Sequence, residues 1–230
     1  ETIKQILERK DRSVQKEIPM LQKKIVGEED ATASRIATYA KDWAEQKPLK
    51  GDVAPSSALD QLNIFDGRLT RLEDEMEEIR NAKVALQLDP PKDDSLPPLR
   101  EELRDLKMVW SELVGPWQQI DDLKELPWTS VVPRKLRREL DGLLSGLAEL
   151  PNMVRQYEAY THLQSSLRMW KKTNSTISEL RSDALKDRHW RSILRELRLG
   201  TTYQQLTLGK IWDCGLKKYS VFLEGVIREA

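Results

Sequence analysis

The sequence of 230 residues predicts an all-α protein made of elongated antiparallel helical bundles, with long heptad-patterned helices and no sheet. Charged residues make up 33% of the chain and there are only 10 glycines, a composition typical of long helices with large solvent-facing surfaces. Apolar residues recur in steps of three and four over long stretches, as they do on one face of a helix. Prolines separate these stretches, and a proline disfavours helix continuation. Each stretch is therefore expected to form one helix.

The first helix is predicted to run from near Thr2 to Gln46. Its apolar positions alternate in steps of four and three, first at Val14, Ile18, Leu21 and Ile25 and later at Ile36, Tyr39 and Trp43. The segment KPLKGDVAPSS ends this helix. Ser56 or Ser57 is expected to cap the second helix, because a serine hydroxyl can accept a hydrogen bond from a free backbone N–H of the first turn.

The second helix carries an apolar stripe that is expected to pack against the first helix. The stripe keeps heptad register and is broken only by Lys83. Its members are Leu62, Phe65, Leu69, Leu72, Met76, Ile79 and Leu86. The segment DPPKDDSLPP then prevents helix continuation, and Pro98 suits the first turn of a third helix. We predict two domains, a long helical hairpin at residues 1–92 and a helical bundle at residues 93–230.

The third helix has the most regular register in the chain. Its apolar residues step by four and three throughout, at Leu99, Leu103, Leu106, Trp110, Leu113, Trp117 and Ile120. Pro116 lacks a backbone N–H and is a candidate position for a kink. Shorter helices are expected to start at Pro133, Asn152 and Asp187, and Thr207 is expected to cap another. The last amphipathic pattern consists of Leu216, Tyr219, Leu223, Val226 and Ala230.

His189 and Trp190 stand side by side in a strongly charged segment. Trp190 shares a helical face with Ile193, Leu194 and Leu197, which follow it by three, four and seven residues, and it is predicted to be a core residue. His189 lies about 100° away around the helix and is interpreted as a polar residue on the flank of that face.

No catalytic, cofactor-binding or metal-binding residue is assigned from the sequence. A catalytic role for His189 would need a nucleophile or carboxylate brought to it by the fold, and a metal site would need at least two more ligands. The only other histidine is His162 and the only thiol is Cys214. Phosphate-loop, dinucleotide and HExxH motifs are absent, and Gly142 and Gly146 are far from any strand signal. We expect neither enzyme activity nor a cofactor in this segment.

Two further features have a functional and a structural interpretation. The cluster RKLRREL at residues 134–140 could be a nucleic-acid or lipid patch, but Glu139 and Asp141 favour a solvated helix face. Six tryptophans could suggest a ligand cage, yet three of them fall on apolar stripes and favour core packing. The six are Trp110, Trp117, Trp128, Trp170, Trp190 and Trp212.

Charge and cysteine content limit the classes of partner. The chain has 38 basic and 38 acidic residues, so its neutral charge gives no electrostatic reason to expect nucleic acid or a membrane as a partner. Cys214 cannot form an intrachain disulfide, and no apolar run is long enough for a signal peptide or a membrane span. We expect a cytosolic protein. The chain begins with Glu1 and stops in mid-pattern, so it is expected to be an internal fragment of a longer protein.

Several segments resemble dynein heavy chains, most specifically ALKDRHW followed by LTLGKIWD. These lie within a longer similar order: LRDLKMVWSELVGPWQQIDDLKELPWTSVVPRKLRRELDGLLSGLAELPNMVRQYEAY, then MWKKTNSTISELRSDALKDRHWRSILREL, then LTLGKIWDCGL. The upstream stretch RKDRSVQKEIPMLQKKIVGEEDATASRIATYAKDWAEQKPLKG is more similar to cytoplasmic than to axonemal dyneins. The resemblance covers nearly the whole chain and is weakest across LDPPKDDSLPPL.

The resemblance implies a position where the dynein tail runs into the linker, with residues 1–92 as the last tail bundle and residues 93–230 as the start of the linker. In dyneins the linker lies across the AAA+ ring and transmits the ATP-driven stroke to the cargo-bearing tail during minus-end-directed transport on microtubules. Implied partners are the AAA+ ring of the same chain, a second heavy chain in a homodimer, and dynein accessory chains, dynactin or adaptors near the tail. The ATP sites are expected elsewhere in the parent chain, and the expected location is the cytoplasm, on microtubules.

A spectrin-like helical scaffold or tether that transmits no stroke is the alternative interpretation. Such a protein would show an internal repeat of about a hundred residues, and the tryptophan-rich second half does not echo the first. An enzyme is the third interpretation. Hydrolysis of ATP by the purified chain would establish it.

Overall fold

The computed structural model describes residues 3–92 and 95–230, and all regular structure in these residues is helical. The prediction of an all-α fold without a sheet is confirmed over these residues. The α-helices are α1 Ile3–Gln46, α2 Pro55–Ala85, α3 Leu96–Lys124, α4 Pro133–Ala148, α5 Asn152–Arg155, α6 Glu158–Leu180, α7 Asp187–Glu196, α8 Leu208–Asp213 and α9 Ser220–Glu229. Short 3-10 helices occupy Trp128–Ser130, Tyr203–Gln205 and Leu216–Tyr219.

The chain forms two compact units. Unit 1 contains residues up to 48 and residues 57–107, and unit 2 contains residues 49–56 and 108–230. Helix α3 continues without interruption from unit 1 into unit 2. The domain boundary predicted between residues 92 and 93 rests on the roles expected for the two parts of the chain. The compact units do not test those roles, so the boundary stays a prediction. Thr2, Asp93 and Asp94 lie outside the described residues.

Prolines mark the starts of several helices. Helix α2 begins at Pro55, so the predicted caps Ser56 and Ser57 already lie inside the helix, and that prediction is wrong. A proline suits this position because its fixed φ is helical and its missing N–H would have no partner in the first turn. Pro98 lies in the first turn of α3, and α4 begins at Pro133, both as predicted.

The three other helix starts predicted in the second half of the chain are confirmed. Helix α5 begins at Asn152. Helix α7 begins at Asp187. The Thr207 hydroxyl accepts a hydrogen bond from the backbone N–H of Lys210 at 3.4 Å and caps α8.

Helix α6 is longer than the sequence predicted, with 23 residues where only short helices were expected. It packs against α4, whose buried residues are Leu136, Leu140, Leu143 and Leu147. Asn174 interrupts the apolar face of α6, yet it is buried, and its side-chain amide donates to the Pro133 carbonyl at 3.2 Å. This hydrogen bond gives the buried side-chain amide of Asn174 a partner, as buried polar groups require.

Only the second part of the α1 stripe is buried. Ile36, Tyr39 and Trp43 are each at most 2% exposed, whereas Val14 and Leu21 are 54% and 46% exposed. Helix α1 has 44 residues and α2 has 31, so α2 is too short to cover the whole of its neighbour. The seam predicted between the first two helices therefore involves the second half of α1, from Gln22 and Glu29 onward.

Candidate functional site

The candidate functional features of this chain are contacts between packed helices. The first is an aromatic contact in the α1–α2 seam. The rings of Tyr39 and Trp43 meet Phe65 edge-on, with centroid distances of 5.6 and 5.2 Å. The Tyr39 hydroxyl donates to the Phe65 carbonyl at 3.3 Å, and burial raises the pKa of this phenol to about 12. Arg68 lies over the Tyr39 and Phe65 rings and pairs with Asp42 at 2.7 Å. The seam is thus closed at its surface by a charge pair.

Lys83, the one break in the α2 stripe, is a buried ion-pair residue. It is 7% exposed, and its ammonium group donates to the carboxylate of Glu29 on α1. A buried charge without its partner is strongly unfavourable, so the pair favours one alignment of α1 against α2 over alignments shifted by a turn. The position that interrupts the heptad pattern is therefore occupied by a paired lysine and not by an unpaired buried charge.

A charge network joins α2 to the first part of α3. Arg100 donates to Glu73 through Nε at 2.9 Å and through Nη2 at 2.6 Å, and it also pairs with Asp66. Lys107 donates to the same Asp66 carboxylate. The Lys107 hydrogen bond is the largest influence that holds the pKa of Asp66 below its usual range, and the hydrogen bond to Glu73 raises the pKa of Arg100. The paired geometry suits a guanidinium and would be lost with lysine at position 100.

Glu102 joins α3 to the end of α1. Its carboxylate accepts a hydrogen bond from Trp43 Nε1 at 2.7 Å and pairs with Lys47. Burial alone would raise the pKa of this carboxyl, but the bonds from Lys47 and Trp43 outweigh it and leave the pKa lowered. Unit 1 is therefore held by α1, α2 and the first half of α3.

The second half of α3 lies in unit 2 and keeps the same face buried. Trp110, Leu113 and Ile120 are at most 4% exposed, whereas Met108 and Val114 on other faces are both 41% exposed. The predicted α3 stripe is confirmed along its length, with Leu99 and Trp117 half-buried.

The end of α3 is tied to α8. Lys124 lies 5.3 Å from the Trp170 ring centroid and pairs with Asp213 at 3.1 Å. Two backbone hydrogen bonds close the same region, from Trp128 to the Leu206 carbonyl at 2.8 Å and from Leu208 to the Leu126 carbonyl at 3.0 Å. They form the single antiparallel bridge, between Pro127 and Thr207, found in the described residues.

The connection between α1 and α2 packs within unit 2. The backbone N–H of Gly51 donates to the Glu158 carboxylate at 3.2 Å. A Cβ at Gly51 would lie 2.3 Å from His162 Cβ, so only glycine fits this approach. His162, one of the two histidines of the chain, is accordingly a packing neighbour of this loop.

His189 is a capping residue, and its assignment to a polar flank is wrong. It is 8% exposed, and its Nδ1 accepts a hydrogen bond from the backbone N–H of Lys186, just before α7, at 3.0 Å. This bond satisfies a backbone donor at the helix start, in the manner of a capping box. The apolar pattern missed it because that pattern shows which residues face the core and not which backbone donors at a helix start need an acceptor.

Trp190 is a core residue, as predicted, at 4% exposure. Its ring centroid lies 5.6 Å from that of Trp128 and 5.0 Å from that of Tyr203. Arg181 binds the backbone beside this cluster, donating to the carbonyls of Val131 and Thr129 at 3.0 Å each. The tryptophans are packing residues. All of them are buried except Trp117, which is half-buried.

The remaining candidate sites have structural explanations. The basic side chains Arg134, Lys135, Arg137 and Arg138 are exposed, with Lys135 paired to Glu139 at 3.7 Å, which confirms a solvated helix face. Burial raises the pKa of the Cys214 thiol to about 11. In residues 3–92 and 95–230, no cluster of three or more His, Cys, Asp or Glu side chains could hold a metal ion. No helix in the same residues is long and apolar enough to cross a membrane.

Comparison with known proteins identifies the family. The family model described as "Dynein heavy chain, N-terminal region 2" matches residues 96–230. The chain belongs to the dynein heavy chain family. It is 40% identical to the cytoplasmic dynein heavy chains of Dictyostelium discoideum and Drosophila melanogaster, and 38% identical to that of Fusarium vanettenii. These alignments cover 98%, 98% and 100% of this chain.

The alignments cover only a small part of the dynein relatives. The chain spans about 5% of the length of each of these three heavy chains. The family match starts at the first residue of α3, Leu96, and runs through the rest of the chain. The predicted resemblance to cytoplasmic dynein is therefore confirmed, and the segment is an N-terminal region of a dynein heavy chain.

Proposed function

We propose that this segment is a non-catalytic mechanical part of a dynein heavy chain that joins the cargo-bearing tail to the linker. In this role it passes the ATP-driven stroke of the AAA+ ring to the tail during minus-end-directed transport on microtubules. The observation that carries the proposal is helix α3, which runs unbroken through both compact units and is packed along one face in each. Bending such a helix requires side-chain contacts to open over a long seam, so it resists bending.

The charge pairs support the same role. Arg100 and Glu102 attach the first half of α3 to its neighbours in unit 1, and Lys124 attaches its end in unit 2. A helix held near both of its ends passes a load to each unit without sliding along its own axis. The partners that go with this role are the AAA+ ring of the same chain, a second heavy chain, and accessory chains, dynactin or adaptors near the tail. Neither nucleic acid nor a membrane is among them, and the site of action is the cytoplasm, on microtubules.

A pair of full-length heavy chains tests the role. Leu113→Gly removes a buried seam contact and adds a flexible backbone position, whereas Val114→Gly adds the flexible position on an exposed face. We expect basal ATP turnover to persist in both, because the ATP sites lie elsewhere in the parent chain. Microtubule gliding velocity should fall, and fall further for Leu113→Gly. Unchanged gliding in both folded variants would favour a passive tether.

Absence of catalysis has a direct test on the 230-residue chain. We expect calorimetry to detect no binding of ATP or ADP, and no cofactor to be needed, because no phosphate-binding loop occurs in the sequence. Saturable nucleotide binding in the micromolar range would contradict this part of the proposal.

A further inference from the structure

A groove in unit 2 has the features of a peptide-binding surface. It lies between helix α6 and residues 212–220 and has a volume of about 580 Å³. We call it the basic groove. Its lining residues are Ser165, Arg168, Met169, Trp170, Lys172, Thr173, Thr176, Trp212, Gly215, Leu216, Lys217 and Ser220. A volume of this size accommodates several side chains rather than one small ion.

The apolar part of the groove is aromatic. Trp170 and Trp212 are stacked with ring centroids 4.5 Å apart and planes at 10°. They are 7% and 4% exposed, and Nε1 of each lacks an acceptor among the described residues. Leu216 is buried beside them, and Met169 is 51% exposed at the edge. A thioether next to stacked rings offers an adaptable surface for an apolar side chain.

The charges around the groove are all of one sign. Arg168, Lys172 and Lys217 line it, and no aspartate or glutamate does. The nearby cations Lys124 and Lys171 are paired with carboxylates, at 3.1 and 2.6 Å. By contrast, none of the three lining cations pairs with a carboxylate in the described part of the chain. An otherwise neutral protein thus places three uncompensated positive charges around one apolar surface.

We propose that the basic groove binds an acidic amphipathic helix of a partner polypeptide. Arg168 and Lys172 lie four residues apart on α6, so their side chains emerge from the same face one turn apart. Carboxylates at a similar spacing on a partner helix match them, while an apolar side chain between those carboxylates enters the groove. Helices that bind in grooves are recognised in this way, by apolar anchors one turn apart and by charges at the rim.

A peptide accounts for the groove better than a phosphate or a lipid headgroup does. Such an anion would use the cations but leave the exposed side chain of Met169, at the edge of the groove, without an apolar partner. This binding surface is independent of the force-transmitting role of α3.

The test uses the whole 230-residue chain and a fluorescein-labelled peptide of about 15 residues, which is about 22 Å of helix. The probe carries leucine and phenylalanine along one face of the helix and glutamates four residues apart along the edges of that face, so that both sets of side chains can meet the groove. We expect saturable binding in fluorescence anisotropy, with Kd raised at least about tenfold by Arg168→Glu with Lys172→Glu. The matched control is Arg137→Glu with Arg138→Glu, which makes the same charge change on exposed residues of α4 outside the groove and should leave Kd within about twofold.

Further probes separate the possible outcomes. A peptide with lysine in place of every glutamate, and one with serine in place of leucine and phenylalanine, should both fail to bind. Equal weakening by the two pairs of substitutions would overturn the proposal, because it would show unspecific attraction to positive charge. Absence of binding by the acidic probe would also overturn it. The proposal would also be overturned if the chain bound phosphatidylserine vesicles in place of the peptide and the Arg168/Lys172 variant did not bind them, because the ligand would then be a membrane. Circular dichroism checks that each variant remains folded.

Discussion

Gly209 of α8 lies so close to Lys124 at the end of α3 that no side chain fits between them. A Cβ at Gly209 would be 2.8 Å from Lys124 Cβ and 3.0 Å from the Lys124 carbonyl oxygen. Because one of these atoms belongs to the backbone, the clash cannot be relieved by turning a flexible side chain. The contact fixes α8 against the end of α3 within unit 2.

Substitution of Gly209 is therefore expected to destabilise the fold. Gly209→Ala should lower the free energy of unfolding by about 1–3 kcal/mol, because the methyl group forces the two helices apart. Gly142→Ala is the control, since Gly142 lies inside α4 with nothing within 4 Å of its Cβ position. It should stabilise the fold by about 0.5–1 kcal/mol. Urea unfolding followed by circular dichroism measures both, and a harmless Gly209→Ala would refute the close packing.

The α1–α2 seam gives a second prediction. Leu69 is fully buried, so Leu69→Ala should cost about 2–5 kcal/mol of stability. Leu21→Ala makes the same chemical change at a position that is 46% exposed, and it should cost less than about 1 kcal/mol. Thermal unfolding of the two variants compares them directly. Similar losses would mean that the first part of α1 is packed in solution.

A third prediction compares the neighbours Trp190 and His189. Trp190→Ala should cost about 3–5 kcal/mol because it removes a buried ring from an aromatic cluster. His189→Ala should cost about 1–2 kcal/mol, since it leaves the backbone N–H of Lys186 without its capping acceptor. His189→Gln keeps an acceptor on the side chain and should recover part of that loss. Denaturant midpoints measure all three, and equal losses for alanine and glutamine at position 189 would exclude the capping role.

Glu102 gives a fourth prediction, for the pH dependence of stability. The pKa of Glu102 in the folded chain is lowered below the ordinary value of 4.5. The ionised carboxylate therefore stabilises the fold above pH 4.5, and this stabilisation is lost as the pH falls through the folded pKa. The melting temperature of the wild-type chain should therefore fall on acidification below pH 4.5, and the fall should be smaller in Glu102→Gln. Glu101→Gln, an exposed neighbour, is the control and should follow the wild-type profile. Identical profiles for the wild type and Glu102→Gln would show that the bonds to Trp43 and Lys47 do not favour the ionised form.

Periodicity predicted the parts of the fold in which one apolar face repeats over many turns. Leu103, Leu106 and Leu113 needed only their spacing to be assigned to a buried face of α3. Helix α6 was missed because Asn174 interrupts its pattern, and the carbonyl that accepts the compensating hydrogen bond from this asparagine belongs to Pro133, 41 residues earlier. Local spacing carries no information about such a partner.

The sequence pattern could not predict features that depend on the tertiary fold or on the local backbone at a helix start. The heptad pattern could show Lys83 only as a break, because its ion-pair partner Glu29 lies on another helix. The basic groove went unnoticed because Arg168 and Lys217 are far apart in the chain, and the neutral total charge hides their proximity. The capping role of His189 depends on a backbone donor at the start of α7, which the apolar pattern does not describe.

Stall force in an optical trap tests the central claim, that α3 lies in the path of force. The variant is the full-length heavy chain with Leu106→Gly and Leu113→Gly, which removes two buried contacts and adds two flexible positions at about 1 kcal/mol each for the glycine effect alone. The control, Met108→Gly with Val114→Gly, adds the same flexibility on exposed faces. With both proteins folded, we expect stall force to fall most in the Leu106/Leu113 variant while basal ATP turnover persists. A wild-type stall force in that variant would contradict the claim.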